Sequence, residues 1–319
     1  MKGIVSFLML LVFFVLFCGS MYAQNEKRVV AVTFDDLPFV NHLKFSPQDQ
    51  KERTLKLLKV FENFSIPAVG FVNEYKLFVN DSLKNDRLSL LNLWISNNLE
   101  LGNHTFSHPS LNKVSAEEYK TDILKGEKIT KPLLAGKGKN IRYFRYPYLQ
   151  KGNEEIKKKE IENYLLNLGY INAPVTLDNS DWVFARAYDN AIEENDSVKM
   201  KMLGENYIKY MNTVFEYFEN QSKLIFNREI KQILLLHANA INSDYFDELC
   251  IMIKNRNYNF ISLEEALTDP VYDLEETYVG NWGFSWINRW AITQGRGKEF
   301  YKDEPEPSEE IFKLAGINY

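Results

Sequence analysis

The sequence predicts an α/β protein in which about seven parallel strands form a sheet or a barrel of TIM type, complete or incomplete. Three observations predict it. Short apolar runs alternate with longer amphipathic ones along most of the 319 residues. The apolar runs are nearly continuous rather than alternating, as in strands covered on both faces. Polar and ionisable residues gather just past the C-terminal ends of those runs, where barrel enzymes build their sites.

The chain opens with Lys2, the apolar run IVSFLMLLVFFVLFCG and then SMYAQ. A positive start, an apolar stretch and the small residue Ala23 predict a signal peptide over residues 1–23. Export to the periplasm or the extracellular space follows, with no stable membrane insertion after cleavage. An uncleaved anchor, or a lipid on Cys18, is the alternative. The run is short for a membrane span, and Phe17 is bulky for lipoprotein processing. Cleavage leaves Cys250 alone, on the apolar side of the helical pattern YFDELCIMIK, which predicts a buried structural thiol.

Strands are expected at RVVAVTF (28–34), PAVGFV (67–72), near LELG (99–102), IRYFR (141–145), INAPVTL (171–177), QILLLH (232–237) and YNFISL (258–263). Helical patterns lie between them, from PQDQKERTLKLLKVFENF to the long SVKMKMLGENYIKYMNTVFEYFENQ. One domain is expected over 24–268. Residues 269–319 form a C-terminal extension, aromatic and Gly-rich and then acidic, packed on the barrel. In it Trp282, Trp286 and Trp290 are spaced for one helix face, either packed on the barrel or stacking on sugar. Hydrophobic content of 45% supports a sizeable core, and a net charge of −5 without a Lys/Arg patch argues against nucleic acid.

Five polar clusters follow the strands. Asp35-Asp36 ends the first; two adjacent carboxylates need a cation or a proton beside them. His104 and His108, in GNHTFSHP, are either loop histidines satisfied by backbone or, joined with Asp36, a two-His-one-carboxylate set. That set suits a divalent metal with coordination positions left open. Arg145-Tyr146-Pro147-Tyr148 offers a guanidinium for a carboxylate and a bend at proline. Asp178 to Trp182 and His237 end the fifth and sixth strands, and all five clusters fall on one rim.

In this order TFDD, HTFSH, RYPY, DNSDW and LLH resemble the five motifs of the NodB-type polysaccharide deacetylases, carbohydrate esterase family 4. The resemblance runs from about Arg28 to Leu267. It implies a distorted barrel, a metal held by Asp36, His104 and His108, and Asp35 as general base oriented by Arg145. It further implies a Tyr148 N–H on the oxyanion, and His237 as general acid with Asp178 orienting its ring. Trp182 and Leu235 would line the acyl pocket. Zinc is the implied ion, with cobalt or nickel as other candidates, and an acetylated carbohydrate the implied substrate. N-deacetylation of amino sugars in peptidoglycan, a chitin-like oligomer or another exported glycan is the expected reaction. An O-acetyl esterase on xylan or a similar polymer, or a silent glycan-binding protein, is the alternative. Leu37 stands where the family usually has glycine, which predicts a different path for the first loop and a narrower site. The helical stretch 183–231 predicts a reshaped groove.

Overall fold

The computed structural model describes residues 28–318, so the signal peptide expected over 1–23 lies outside the described residues. Strands β1 (Arg28–Leu37), β2 (Val69–Val72), β3 (Glu100–Asn103), β4 (Tyr143–Phe144), β5 (Ile171–Asn172), β6 (Gln232–His237) and β7 (Tyr258–Ile261) form one sheet. Their order is β5-β4-β3-β2-β1-β6, and every pairing is parallel. Along its other edge β1 is shared: β7 pairs with Arg28–Ala31 and β2 with the part from Thr33 onward.

The sheet curls into a half-barrel, and the stretch 171–177 shows how. It starts on β4, where the Ala173 N–H donates to Phe144 at 2.8 Å. It finishes on β6, where Leu177 pairs with Leu234. Pro174 interrupts the run; without an N–H it cannot continue the ladder, so the seven-residue apolar pattern yields a two-residue strand and an isolated bridge.

Helices cover the outside. Helix α1 (Pro47–Phe64) begins at Ser46, whose side chain accepts from the Asp49 N–H while Asp49 reaches back, and it ends at Ser65 with φ +53°. Its apolar face, with α2 (Asn85–Ser96), packs on β1. There Phe34 meets Phe61 at 5.4 Å and Trp94 at 6.0 Å, ring centre to ring centre. Helices α3 (Ala116–Lys125), α4 (Thr130–Ala135) and α5 (Glu155–Asn167) cover the β3–β5 side. The expected helical stretch 183–231 is α6 (Asp181–Glu193) followed by α7 (Ser197–Phe226). Helix α8 (Ala240–Asn255) carries Cys250 fully buried in the core, as expected.

After a short α9 (Leu263–Ala266), the C-terminal segment lies against the barrel through α10 (Trp286–Thr293) and α11 (Glu309–Leu314). Trp286 and Trp290 are buried, but the three tryptophans do not share a helix face. Helix α10 starts only after its cap Ser285, so Trp282 lies before it and is 71% exposed. Among the described residues no helix is long and apolar enough to cross a membrane.

Candidate metal and catalytic site

The register of the two central strands brings the first two groups together: Asp35 on β1 is the pairing partner of His237 on β6. Just beyond, Asp36 turns into the left-handed region at φ +69°, which Asp tolerates better than most residues, and its carboxylate leaves the strand direction.

His104 follows β3, and its N–H donates to the Val72 carbonyl at 3.1 Å. Its Nδ1 lies 2.7 Å from the Arg145 carbonyl, a contact that requires the proton on Nδ1 and leaves the Nε2 lone pair available. The loop then turns back on itself. Thr105 and His108 both take positive φ, and the His108 N–H donates to Thr105 Oγ1 at 3.1 Å. The turn explains how histidines four apart converge without a helix. One ligand atom each from Asp36, His104 and His108 lie within 4.8 Å of one another.

The donor set fits a divalent ion such as zinc. Burial, and then His108, keep His104 neutral well below the usual range, and burial lowers His108 as well. For Asp36 burial alone would favour the acid, but Lys76, His108 and His237 outweigh it and hold the group ionised. Two neutral imidazoles and a carboxylate are the forms that bind metal.

Lys76 escaped the sequence reading. It sits in the short turn Glu74–Leu77 after β2, is 3% exposed, and its Nζ donates to the Asp36 carbonyl at 2.9 Å and lies 3.3 Å from Asp36 Oδ1. Nothing in FVNEYKLF marks it, because its reach depends on the path of the turn.

Asp35 is 2% exposed. Arg145, fully buried, brings Nη1 to 3.4 Å from Asp35 Oδ1, while its Nε donates to the Ala173 carbonyl and its Nη2 to Thr33 Oγ1. A guanidinium with its other donors occupied has one direction left for the carboxylate. Burial pushes Asp35 up to about 6 against the pull of Arg145 and His237.

On the neighbouring strand the ring of His237 is held by Asp181, not Asp178. Asp181 Oδ1 lies 2.6 Å from His237 Nδ1, and Oδ2 accepts from the His237 N–H at 2.9 Å and from Asn242 Nδ2 at 2.8 Å. Asp181 is the first residue of α6, so the helix start aims its carboxylate back at the end of β6. Asp178 closes on its own chain instead, accepting from the Asn179 N–H at 2.9 Å. It remains in the pocket beside His237, and burial pushes it up to about 7. For His237 burial acts downward, but Asp181 outweighs it and raises the ring to about 9.

Asp35, Asp36, His104, His108, Asp178 and His237 open into one cavity of about 870 Å³, which Tyr148, Trp182 and Leu235 also line. Tyr148 follows Pro147 with φ +57°, and its ring packs 4.5 Å from that of His108. Trp182 is 48% exposed at the rim, while Leu235 is buried and its carbonyl accepts from Asn179 Nδ2. Leu37 does not narrow this cavity. It is fully buried in the core against Gly70, where a Cβ would come 2.4 Å from Leu37 Cδ2. A leucine next to a left-handed Asp36 turns inward and packs, so the substitution for glycine is absorbed by the core.

Residues 22–170 match the family model described as polysaccharide deacetylase. The peptidoglycan-N-acetylglucosamine deacetylase of Bacillus cereus is 26% identical over 183 residues, which are 57% of this chain and 54% of that protein. The alignment thus spans about half the length of this curated relative. The chitin deacetylase of Colletotrichum lindemuthianum superposes with a TM-score of 0.50 at 21% identity, covering 76% of this chain and 88% of that one. The peptidoglycan deacetylase PdaC of Bacillus subtilis gives 0.46 at 18% identity, covering 76% and 92%. The matched segment holds Asp35, Asp36, His104, His108 and Arg145. Residues 22–170 thus match the polysaccharide deacetylase family, and the half-barrel matches the NodB-like fold of carbohydrate esterase family 4.

Proposed function

We propose that the chain is a metal-dependent hydrolase that removes N-acetyl groups from amino sugars of an exported oligosaccharide or polysaccharide and releases acetate. The observation that carries this reading is the meeting at one cavity of an arginine-held carboxylate, Asp35, and an aspartate-held imidazole, His237, on paired positions of neighbouring strands, beside the Asp36–His104–His108 trio.

The trio would hold the ion, which supplies Lewis acidity to the acyl oxygen and to a water. Asp35 takes the proton of the attacking water, and Arg145 keeps its carboxyl aimed at that position. The Tyr148 N–H faces the developing oxyanion, a contribution of the kind that costs about 10²–10³ in rate when lost. Amide nitrogen leaves poorly until protonated, and His237 delivers that proton with Asp181 stabilising the imidazolium. Between about pH 6 and pH 9 Asp35 is a carboxylate and His237 an imidazolium, the forms their roles require.

A panel of N-acetylated and O-acetylated oligosaccharides, incubated with zinc-supplied protein and assayed for acetate, tests the reading. Release from the N-acetylated members, at least ten-fold faster than from the O-acetylated ones, is expected. Faster release from the O-acetylated members would make the protein an esterase. No release from any would leave the binding-protein reading.

A further inference from the structure

The carboxylate that holds the His237 ring is itself held, and by side chains outside the five polar clusters. Asp181 is fully buried, and both of its oxygens are occupied. Oδ1 takes the ring Nδ1 at 2.6 Å. Oδ2 accepts from the His237 N–H at 2.9 Å and from Asn242 Nδ2 at 2.8 Å, with Asn239 Nδ2 farther off at 3.4 Å.

Asn242 lies in the first turn of α8 and is fully buried, its N–H on Asn239 Oδ1 at 2.9 Å. Its side-chain amide is used at both ends. Nδ2 donates to Asp181 Oδ2 and also to the His237 carbonyl at 2.9 Å, so one group ties the carboxylate to the main chain of the residue whose ring it holds. Two acceptors on that side require the NH₂ end to face them, and the carbonyl end points away. There Oδ1 accepts from the Tyr207 hydroxyl at 2.7 Å. Tyr207 comes from α7, within the helical stretch 183–231. It too is fully buried, and its ring packs 5.5 Å from that of Phe184 on α6. Burial holds its phenol well above the usual range, so it stays a donor. With Tyr207, Asn242 and Asp181 all shut off from solvent, water cannot replace a lost partner without cost.

We propose that Asn242 is a positioning residue for the acid His237 and that Tyr207 fixes its amide, so that α7 sets the aim of the imidazole. This rests on the deacetylase reading above. A carboxylate turns easily about its last torsion, and a turn of Asp181 would carry Oδ1 away from the ring. The Asn242 amide on Oδ2 opposes that turn. Neither Asn242 nor Tyr207 lines the cavity, so both act on the proton-transfer step and not on substrate binding.

The test compares zinc-supplied wild type with Tyr207→Phe, Asn242→Leu and their double variant. The substrates are the N-acetylated oligosaccharides of the panel, among them the β-1,4-linked tetramer of N-acetylglucosamine. Tyr207→Phe keeps the packed ring and is expected to lower kcat about three- to ten-fold, and Asn242→Leu about ten- to a hundred-fold, each with KM within about two-fold of wild type. Because Tyr207 acts through Asn242, the double variant should be within about two-fold of Asn242→Leu. Tyr207→Phe should likewise cost less than about two-fold in an Asp181→Asn background, a cycle that decides the matter even where Asn242→Leu fails to fold. A merely structural network would lower the melting temperature and leave these kinetics alone. For Tyr207→Phe, a kcat at the wild-type level, a loss that appears in KM, or a loss that multiplies with that of Asp181→Asn would overturn the positioning role and leave the deacetylase reading standing. No acetate from wild type on any member, with zinc bound, would overturn both.

Discussion

Asp35→Asn is expected to lower acetate release by about 10²–10⁴-fold, the usual worth of a positioned general base, while the metal remains bound. The substitution is isosteric and removes only the capacity to take a proton. Asp35 is not one of the three converging ligands, so metal content measured by atomic absorption should stay at the wild-type level. Arg145 loses a buried charge partner but keeps Thr33 and Ala173, so the fold should hold with a lowered melting temperature. Acetate release within ten-fold of wild type would remove Asp35 from the chemistry. Loss of the metal together with activity would instead make it a ligand.

Asp181→Asn is expected to move the alkaline limb of kcat/KM from about pH 9 toward the ordinary histidine value near 6.5 or below. Burial already opposes the charged ring, and Asp181 is the largest group that reverses it. At pH 8 the protonated fraction then falls about thirty-fold, and loss of the ring's orientation adds to this. Stability moves with the same pair, and its sign is fixed by linkage. The folded ring binds its proton more tightly than the unfolded one, so the Asp181–His237 contribution is fully present below about pH 6.5 and is lost as pH rises through about 9. Wild type should therefore lose more stability than the variant between those values in urea titrations. An unmoved alkaline limb would mean that another group donates the proton. The corresponding change at Asp178, Asp178→Asn, should leave the limb within half a pH unit, since its carboxylate is bonded to the Asn179 N–H rather than to the ring.

The contrast between those two aspartates shows what the sequence could carry. The ends of β2 and β6 were legible because apolar runs stop where the chain reaches the barrel rim, and the register of β1 against β6 then sets Asp35 beside His237. Helix α1 was legible to the residue as the pattern PQDQKERTLKLLKVFENF, and the structure adds the reciprocal Ser46–Asp49 cap that starts it. Which carboxylate of DNSD meets the imidazole was not legible. The choice depends on where α6 starts, and three residues of loop rotate Asp178 onto its own backbone and Asp181 onto the ring. Lys76 was hidden for a related reason. It reaches Asp36 from a turn whose path is fixed by tertiary contacts, not by periodicity. Leu37 misled because a change from glycine was read as a change of the cavity wall, whereas the side chain turned into the core.

The measurement closest to the central claim is acetate release before metal removal, after it, and after zinc is returned, with the bound ion counted at each stage. About one ion per chain, activity lost on chelation and restored by one equivalent of zinc, and neither binding nor activity in His104→Ala, is the expected result. Undiminished acetate release from protein shown to hold no metal, or full zinc binding by His104→Ala, would contradict a catalytic ion held by Asp36, His104 and His108.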